Sequence, residues 1–166
     1  MARQPATGPA VVERTGDGFY FRLPSDGGGA VAELEVPIAR VWAAMPAAYD
    51  AVGIELGALD PASYTLGNHA LTVTRRLGKT PVTQYLDCGQ GSIGSLNAAT
   101  FRIRLSVLTS LSETATGGTR IETAVNATGT PTEGASRAST PCRSTGRLEQ
   151  RLAEAVQARI RGASGG

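Results

Sequence analysis

The sequence predicts an α+β fold: an antiparallel β-sheet with one polar face and two helices packed on the other. Three observations predict it. Between residues 98 and 128, two long runs alternate apolar and polar residues with period two, as half-buried strands do. Two other segments, 37–53 and the stretch after Ser144, repeat apolar residues every three or four positions, as helices that bury one face do. The elements run strand, strand, helix, three or more strands, helix. A sheet that keeps one face wet and covers the other with helices is the natural packing for that order.

Residues 1–16 carry two prolines and little pattern, and read as a flexible arm before a single domain over 17–161. Phe19, Phe21 and Leu23 alternate with Tyr20 and Arg22 as a strand, ended by the Pro24–Gly29 loop. A second strand carries Ala32, Leu34 and Val36. Pro37 then stands at a favourable first-turn position. Ile38, Val41, Trp42, Met45, Tyr49 and Val52 form the apolar stripe of a helix that Gly53 ends. Pro46 falls inside it and is expected to kink it near Ala43 or split it in two. Leu71, Val73 and Leu77 mark a third strand, and residues 78–97 form a long connection with weak pattern. In the next strand, Phe101, Ile103, Leu105, Val107 and Leu111 share one face, with Leu108 the exception on the polar side. Gly117-Gly118 reads as a two-residue turn. Ile121, Val125 and Ala127 return as its partner strand, and residues 129–145 read as a Gly/Thr/Ser/Pro loop. Leu148, Leu152, Val156 and Ile160 form the last helix, capped by Ser144 or Thr145, before a disordered tail over 162–166.

The 166 residues suit one domain, and 41% hydrophobic residues are enough for a core. No apolar run approaches the roughly 18 residues of a membrane-spanning helix. A net charge of +2 is too small for bulk attraction to nucleic acid, and few aromatics interleave with the basic residues. Cys88 and Cys142 lie in Gly/Ser/Thr/Pro-rich loop ends and lack metal-ligand spacing. They read as one disulfide in an oxidising compartment, with two unpaired buried thiols as the alternative. Residues 1–10 have no apolar core of a signal peptide, so an exported protein would be seen here in mature form.

The segments PIARVWAAMPAAYDAVGI (37–54), LGNHALTVTRRLG (66–78), YLDCG (85–89) and CRSTGRLEQRL (142–152), with the strands at 98–128, carry a family resemblance. The chain resembles the helix-grip domains of BamC-like envelope lipoproteins and, more loosely, START and Bet v1-type domains. A Trp in the first helix followed by a glycine that ends it is the most specific feature. The resemblance implies an exported, periplasmic or lipid-anchored binding module without catalysis. The cysteine pair departs from the BamC pattern and points to another family of the same architecture.

Few residues suggest chemistry. His69, the sole histidine, sits in a Gly67-Asn68-His69 turn and reads as an exposed turn residue rather than a general base. Asp87-Cys88 with His69 would make a nucleophile, base and orienter only if Cys88 were a free thiolate. Gly89, Gly91 and Gly94 match GxGxxG spacing, but no strand–helix unit surrounds them, so they read as a flexible loop. Asp60 before Pro61 reads as a turn former. No metal motif is present, and no cofactor or metal is expected.

Two surfaces remain. Arg75, Arg76, Lys79, Arg102, Arg104 and Arg120 are strand or turn residues. Alternation puts Arg76, Arg102, Arg104 and Arg120 on the polar face beside Thr72, Thr74 and Ser106. That is the composition of a solvated sheet face, and also the surface an anionic partner such as lipid headgroups or glycan would use. Trp42, Met45 and Tyr49 share a helix stripe that reads as core and, alternatively, as the lining of a ligand cavity. The functional expectation is a non-catalytic, exported envelope module that binds a protein or cell-surface component. The alternative is a carrier of a small apolar ligand or lipid, held between the sheet and the C-terminal helix.

Overall fold

The computed structural model describes residues 12–14, 20–22, 30–91, 93–134 and 138–164. Within them lie eleven strands: β1 (Val12–Arg14), β2 (Tyr20–Arg22), β3 (Ala30–Leu34), β4 (Ala58–Asp60), β5 (Thr65–Thr74), β6 (Arg76–Leu77), β7 (Thr80–Pro81), β8 (Leu86–Asp87), β9 (Arg102–Glu113), β10 (Thr119–Thr130) and β11 (Thr140–Ser144). Two helices, α1 (Ile38–Ala51) and α2 (Arg147–Ser164), accompany them. The main path through the sheet is β1-β2-β3-β10-β9-β5-β6-β7, and every pairing is antiparallel. β11 continues beside β10 beyond the end of β3 and carries β8 on its other side, while β4 pairs with the start of β5. The α+β class, with a large antiparallel sheet and two helices, is as expected.

The β9–β10 hairpin is the spine. Its register runs from Arg102 opposite Thr130 to Glu113 opposite Thr119. Ile103, Leu105, Val107 and Leu111 are buried on one face, and Arg102, Arg104, Ser110 and Ser112 are exposed on the other. Leu108 lies on the polar side and is half-buried. The buried face meets Val41, Met45 and Tyr49 of α1 and Leu148, Leu152, Val156 and Ile160 of α2 in one core.

Tyr49 brings a hydroxyl into that core, and two threonines satisfy it. Its oxygen lies 2.6 Å from Thr109 Oγ1, which is 3.0 Å from Thr123 Oγ1 on the neighbouring strand. Burial pushes the Tyr49 pKa up to about 12, against a smaller opposing effect of the Thr109 hydrogen bond. Met45 and Tyr49 are therefore core residues. Trp42 is half-buried at the flank of the stripe, edge-on to the Tyr64 ring at 5.5 Å between centroids. It lies outside the fully buried set.

Several local expectations need correction. α1 runs unbroken from Ile38 to Ala51 through Pro46, so the proline does not split it in two. The missing N–H and ring clash cost about 3 kcal/mol. Burial of Val41, Ala44 and Met45 before the proline and of Ala48 and Tyr49 after it offsets that loss. Gly53 does end the helix, with φ +84°. The Ile54 N–H donates to the Tyr49 carbonyl and the Gly53 N–H to that of Asp50, both at 3.0 Å, which is a Schellman motif.

The Gly67-Asn68-His69 turn is instead a bulge inside β5, between Asn68 and Leu71. Asn68 Oδ1 accepts the Ala70 N–H at 2.9 Å, so the Asx geometry that suggested a turn bends a continuing strand. The turn at Gly117-Gly118 is a five-residue loop over 114–118, closed by Thr114 N–H to the Gly118 carbonyl at 3.0 Å and Gly118 N–H to Thr114 Oγ1 at 3.0 Å. Gly117 supplies the positive φ, +85°.

The expected 78–97 connection contains β7, a 3₁₀ turn at Val82–Gln84, and β8, and a second 3₁₀ turn starts at its end, Asn97–Ala99. Their Val82, Tyr85, Leu86 and Cys88 are buried. The expected 129–145 loop contains β11.

At the start of α2, the Gly146 carbonyl accepts the first helical bond, from Gln150 N–H at 3.0 Å, so Gly146 holds the cap position. Thr145, one residue earlier, accepts the Arg147 N–H on its hydroxyl at 3.4 Å and donates that hydroxyl to the Gln84 carbonyl at 2.6 Å, docking the helix start. Within the expected arm, Val12–Arg14 pairs with β2, and within the expected tail, α2 continues to Ser164. Residues 1–11, 15–19, 23–29, 92, 135–137, 165 and 166 lie outside the described residues.

Candidate functional site

Cys88 and Cys142 form a disulfide across 54 residues of sequence. The pairing is as expected; Cys88 lies at a loop end, one residue past β8, whereas Cys142 lies inside β11. β8 and β11 align Asp87 with Arg143 and Leu86 with Ser144, so one step further the register brings Cys88 opposite Cys142. Their Cα atoms are 4.2 Å apart. Both alternate onto the inner face, where Cys88 joins the core and Cys142 packs on its rim. The bond thus staples the last strand pair of the sheet.

Cross-strand partners share a face of the sheet. On the outer face, one row reads Arg76, Thr74, Arg102, Thr130 across β6, β5, β9 and β10. The next row reads Thr72, Arg104, Thr128, Pro141 across β5, β9, β10 and β11. Arg76, Arg102 and Arg104 are all exposed. Arg76 and Arg102, two strand spacings apart, stand roughly 10 Å from each other at the backbone. Arg75 and Lys79 flank this row at the β5–β6–β7 turns and are also exposed. Arg75 adopts φ +66°, a left-handed conformation unusual for a side chain of its size.

Arg143, which the sequence reading did not single out, is exposed on β11 opposite Asp87. Its outward alternation from Cys142 is a signal that becomes readable once 140–144 is known to be a strand. Arg120 does not join this group. It sits on the same face but eight residues along β10 from Thr128, about 27 Å away at 3.4 Å per residue. There its guanidinium lies 3.8 Å from the Glu33 carboxylate. The sheet therefore has a basic end, while Glu33 and Glu122 lie toward the other end.

A short loop connects β8 to the 3₁₀ turn at Asn97–Ala99. It is braced by Gly91 N–H to the Ser95 carbonyl at 2.8 Å, Asn97 N–H to the Gly89 carbonyl at 2.9 Å, and a bridge between Gln90 and Leu96. Asn97 Nδ2 also donates to the Cys88 carbonyl at 3.2 Å. The glycines Gly89, Gly91 and Gly94 thus build a hydrogen-bonded loop. Ile93 within it is 90% exposed and Leu96 46%.

The residues weighed for catalysis do not converge. Cys88 sulfur is bonded to Cys142. His69 is exposed on β5, and β9, β10 and β11 separate that strand from β8, which carries Asp87. Four strand spacings amount to roughly 19 Å. Asp60 forms the turn its sequence suggests, accepting the Ser63 hydroxyl at 2.7 Å and the Ala62 N–H at 3.1 Å. Chiefly the Ser63 hydrogen bond holds its carboxyl below the usual range. Among the described residues, no three His, Cys, Asp or Glu side chains come together as a metal site.

Among the described residues one carboxyl group is buried. Glu149, 4% exposed in the first turn of α2, receives the Ser144 hydroxyl at 2.8 Å from each carboxylate oxygen. Burial pushes its carboxyl above the ordinary range, and the Ser144 bond only partly opposes this. No helix among the described residues is long and apolar enough to cross a membrane. Comparison of the sequence with protein-family models found no match, and comparison with curated proteins found none.

Proposed function

We propose that the chain is an exported, non-catalytic binding module that engages an anionic partner through the basic end of its outer sheet face. The observation that carries this reading is the two-row array of Arg76, Arg102 and Arg104 interleaved with Thr72, Thr74, Thr128 and Thr130. Guanidinium groups spaced by hydroxyls offer several donors to phosphate or carboxylate oxygens. The disulfide supports an oxidising compartment. Kinship with BamC-like envelope modules belongs to the same proposal, as does an envelope protein or cell-surface component as the partner. The carrier alternative would hold its ligand between the sheet and α2, and a native mass spectrum showing a co-purified lipid would favour it.

The direct test replaces Arg76, Arg102 and Arg104 by Ser together. These exposed positions leave the fold intact, as circular dichroism would show. The parent chain is expected to retain an envelope component that the triple variant releases, with retention falling as salt rises. Equal retention by both proteins would overturn the assignment of this face.

A further inference from the structure

We infer that the basic end of the sheet docks on an anionic lipid bilayer, with Ile93 and Leu96 entering the headgroup region. The inference rests on the binding reading above and names its partner. Ile93 is 90% exposed and Leu96 46%, on a loop whose own hydrogen bonds and disulfide-bonded neighbour Cys88 fix its base. Two large apolar side chains on a braced loop are presented to the solvent by construction. The loop leaves β8 beside Arg143 and leads through Asn97–Ala99 into Arg102, so the apolar tip and the arginine rows occupy the same end of the sheet.

The combination discriminates among anionic partners. A glycan or another soluble polyanion would use the arginines and leave Ile93 in water. Single-stranded nucleic acid is bound by stacking on aromatic rings, and an isoleucine offers no such platform. A stable protein interface needs roughly 800 Å² from each partner around a continuous apolar centre. Here two apolar side chains stand on a narrow loop beside charge. A bilayer asks for this arrangement, with apolar groups at the acyl boundary and cations level with the phosphates.

Flotation of the intact protein with vesicles tests the inference. One set is phosphatidylcholine alone, and the other contains about one third phosphatidylglycerol. The protein is expected to float with the phosphatidylglycerol vesicles alone, and less so as salt rises. Ile93→Asn is expected to weaken binding about tenfold or more. Arg102→Ser and Arg104→Ser should each weaken it about fivefold. Because Ile93 is exposed, its variant keeps the parent circular dichroism spectrum, and Leu96→Asn provides a second probe. Absence of flotation, or flotation that both loop variants preserve, overturns the inference. If flotation fails while arginine-dependent retention of an envelope component persists, the bilayer is excluded and the binding reading stands. If both fail, that reading falls too.

Discussion

The β9–β10 hairpin is paired along its whole length, from Arg102 opposite Thr130 to Glu113 opposite Thr119. The chain from Thr80 to Ala99 has instead two-residue strands and 3₁₀ turns, and is tied to the sheet at Cys88. In the hairpin each residue is specified by its neighbours two positions away and across the strand. In the second region, Val82, Tyr85, Leu86 and Ala98 are buried one by one. Arg151 fastens them to α2, donating to Thr80 Oγ1 at 2.7 Å and to the Tyr85 hydroxyl at 2.9 Å. Regular pairing stabilises the first region and covalent and side-chain ties the second, so perturbations should separate them.

The largest effect should come from the double variant Cys88→Ala, Cys142→Ala. A 54-residue separation corresponds to about 4 kcal/mol of chain entropy. Denaturant unfolding would measure the loss. Hydrogen exchange would place it, with amides of β8 and β11 losing protection well before those at the centre of β9. Equal loss in both regions would show that they open as one unit and would remove the distinction.

Next in size, Leu105→Ala strikes the hairpin from its buried face. Leu105 is 1% exposed, and such truncations cost about 2–5 kcal/mol. This loss should spread over β5, β9 and β10 together, because all three cover the same core. A smaller effect, about 2 kcal/mol, is expected for Gly118→Val. A Cβ there would sit 2.5 Å from the Leu34 carbonyl oxygen, so the hairpin loop must move away from β3. Thermal unfolding would report it, and an unchanged midpoint would show that the loop rearranges freely.

The same contrast explains what could be read from the sequence. Alternation announces β9 and β10 because each faces water on one side and core on the other, down to the exception at Leu108. The helices announce themselves for the same reason. In 78–99 the buried residues are isolated between turns, so no period exists to detect. β11 is short and carries Pro141, which suggested a loop, and only its place between β10 and β8 makes it a strand. The disulfide was legible as a pair but not as a cross-strand staple. Among candidate site residues, Arg76, Arg102 and Arg104 were legible from parity. Arg120 shares that parity, yet sequence alone does not show that it lies at the opposite end beside Glu33. Arg143 was hidden with β11, and the exposure of Ile93 was hidden because an apolar residue in a glycine loop carries no periodic signature.

The smallest expected effect concerns the junction of the two regions, where Ser144 of β11 meets Glu149 of α2. Burial raises the Glu149 carboxyl in the folded protein, so the folded state holds that proton more tightly than the unfolded chain. Stability from this source is full below the ordinary glutamate pKa and is lost as pH rises through the folded value. Ionising the buried carboxyl therefore costs stability, which the single Ser144 hydroxyl, shared between the two carboxylate oxygens, offsets only in part. Glu149→Gln keeps an oxygen to accept the Ser144 hydroxyl and removes the charge. The variant should melt slightly above the parent at pH 7, by less than the roughly 1 kcal/mol of a typical net hydrogen bond, and the gap should close as pH falls below 4. Melting curves of both proteins across that range measure it. A gap that widens toward acid would mean that the folded protein stabilises the charged form, through Ser144 and the N-terminal turn of α2 together.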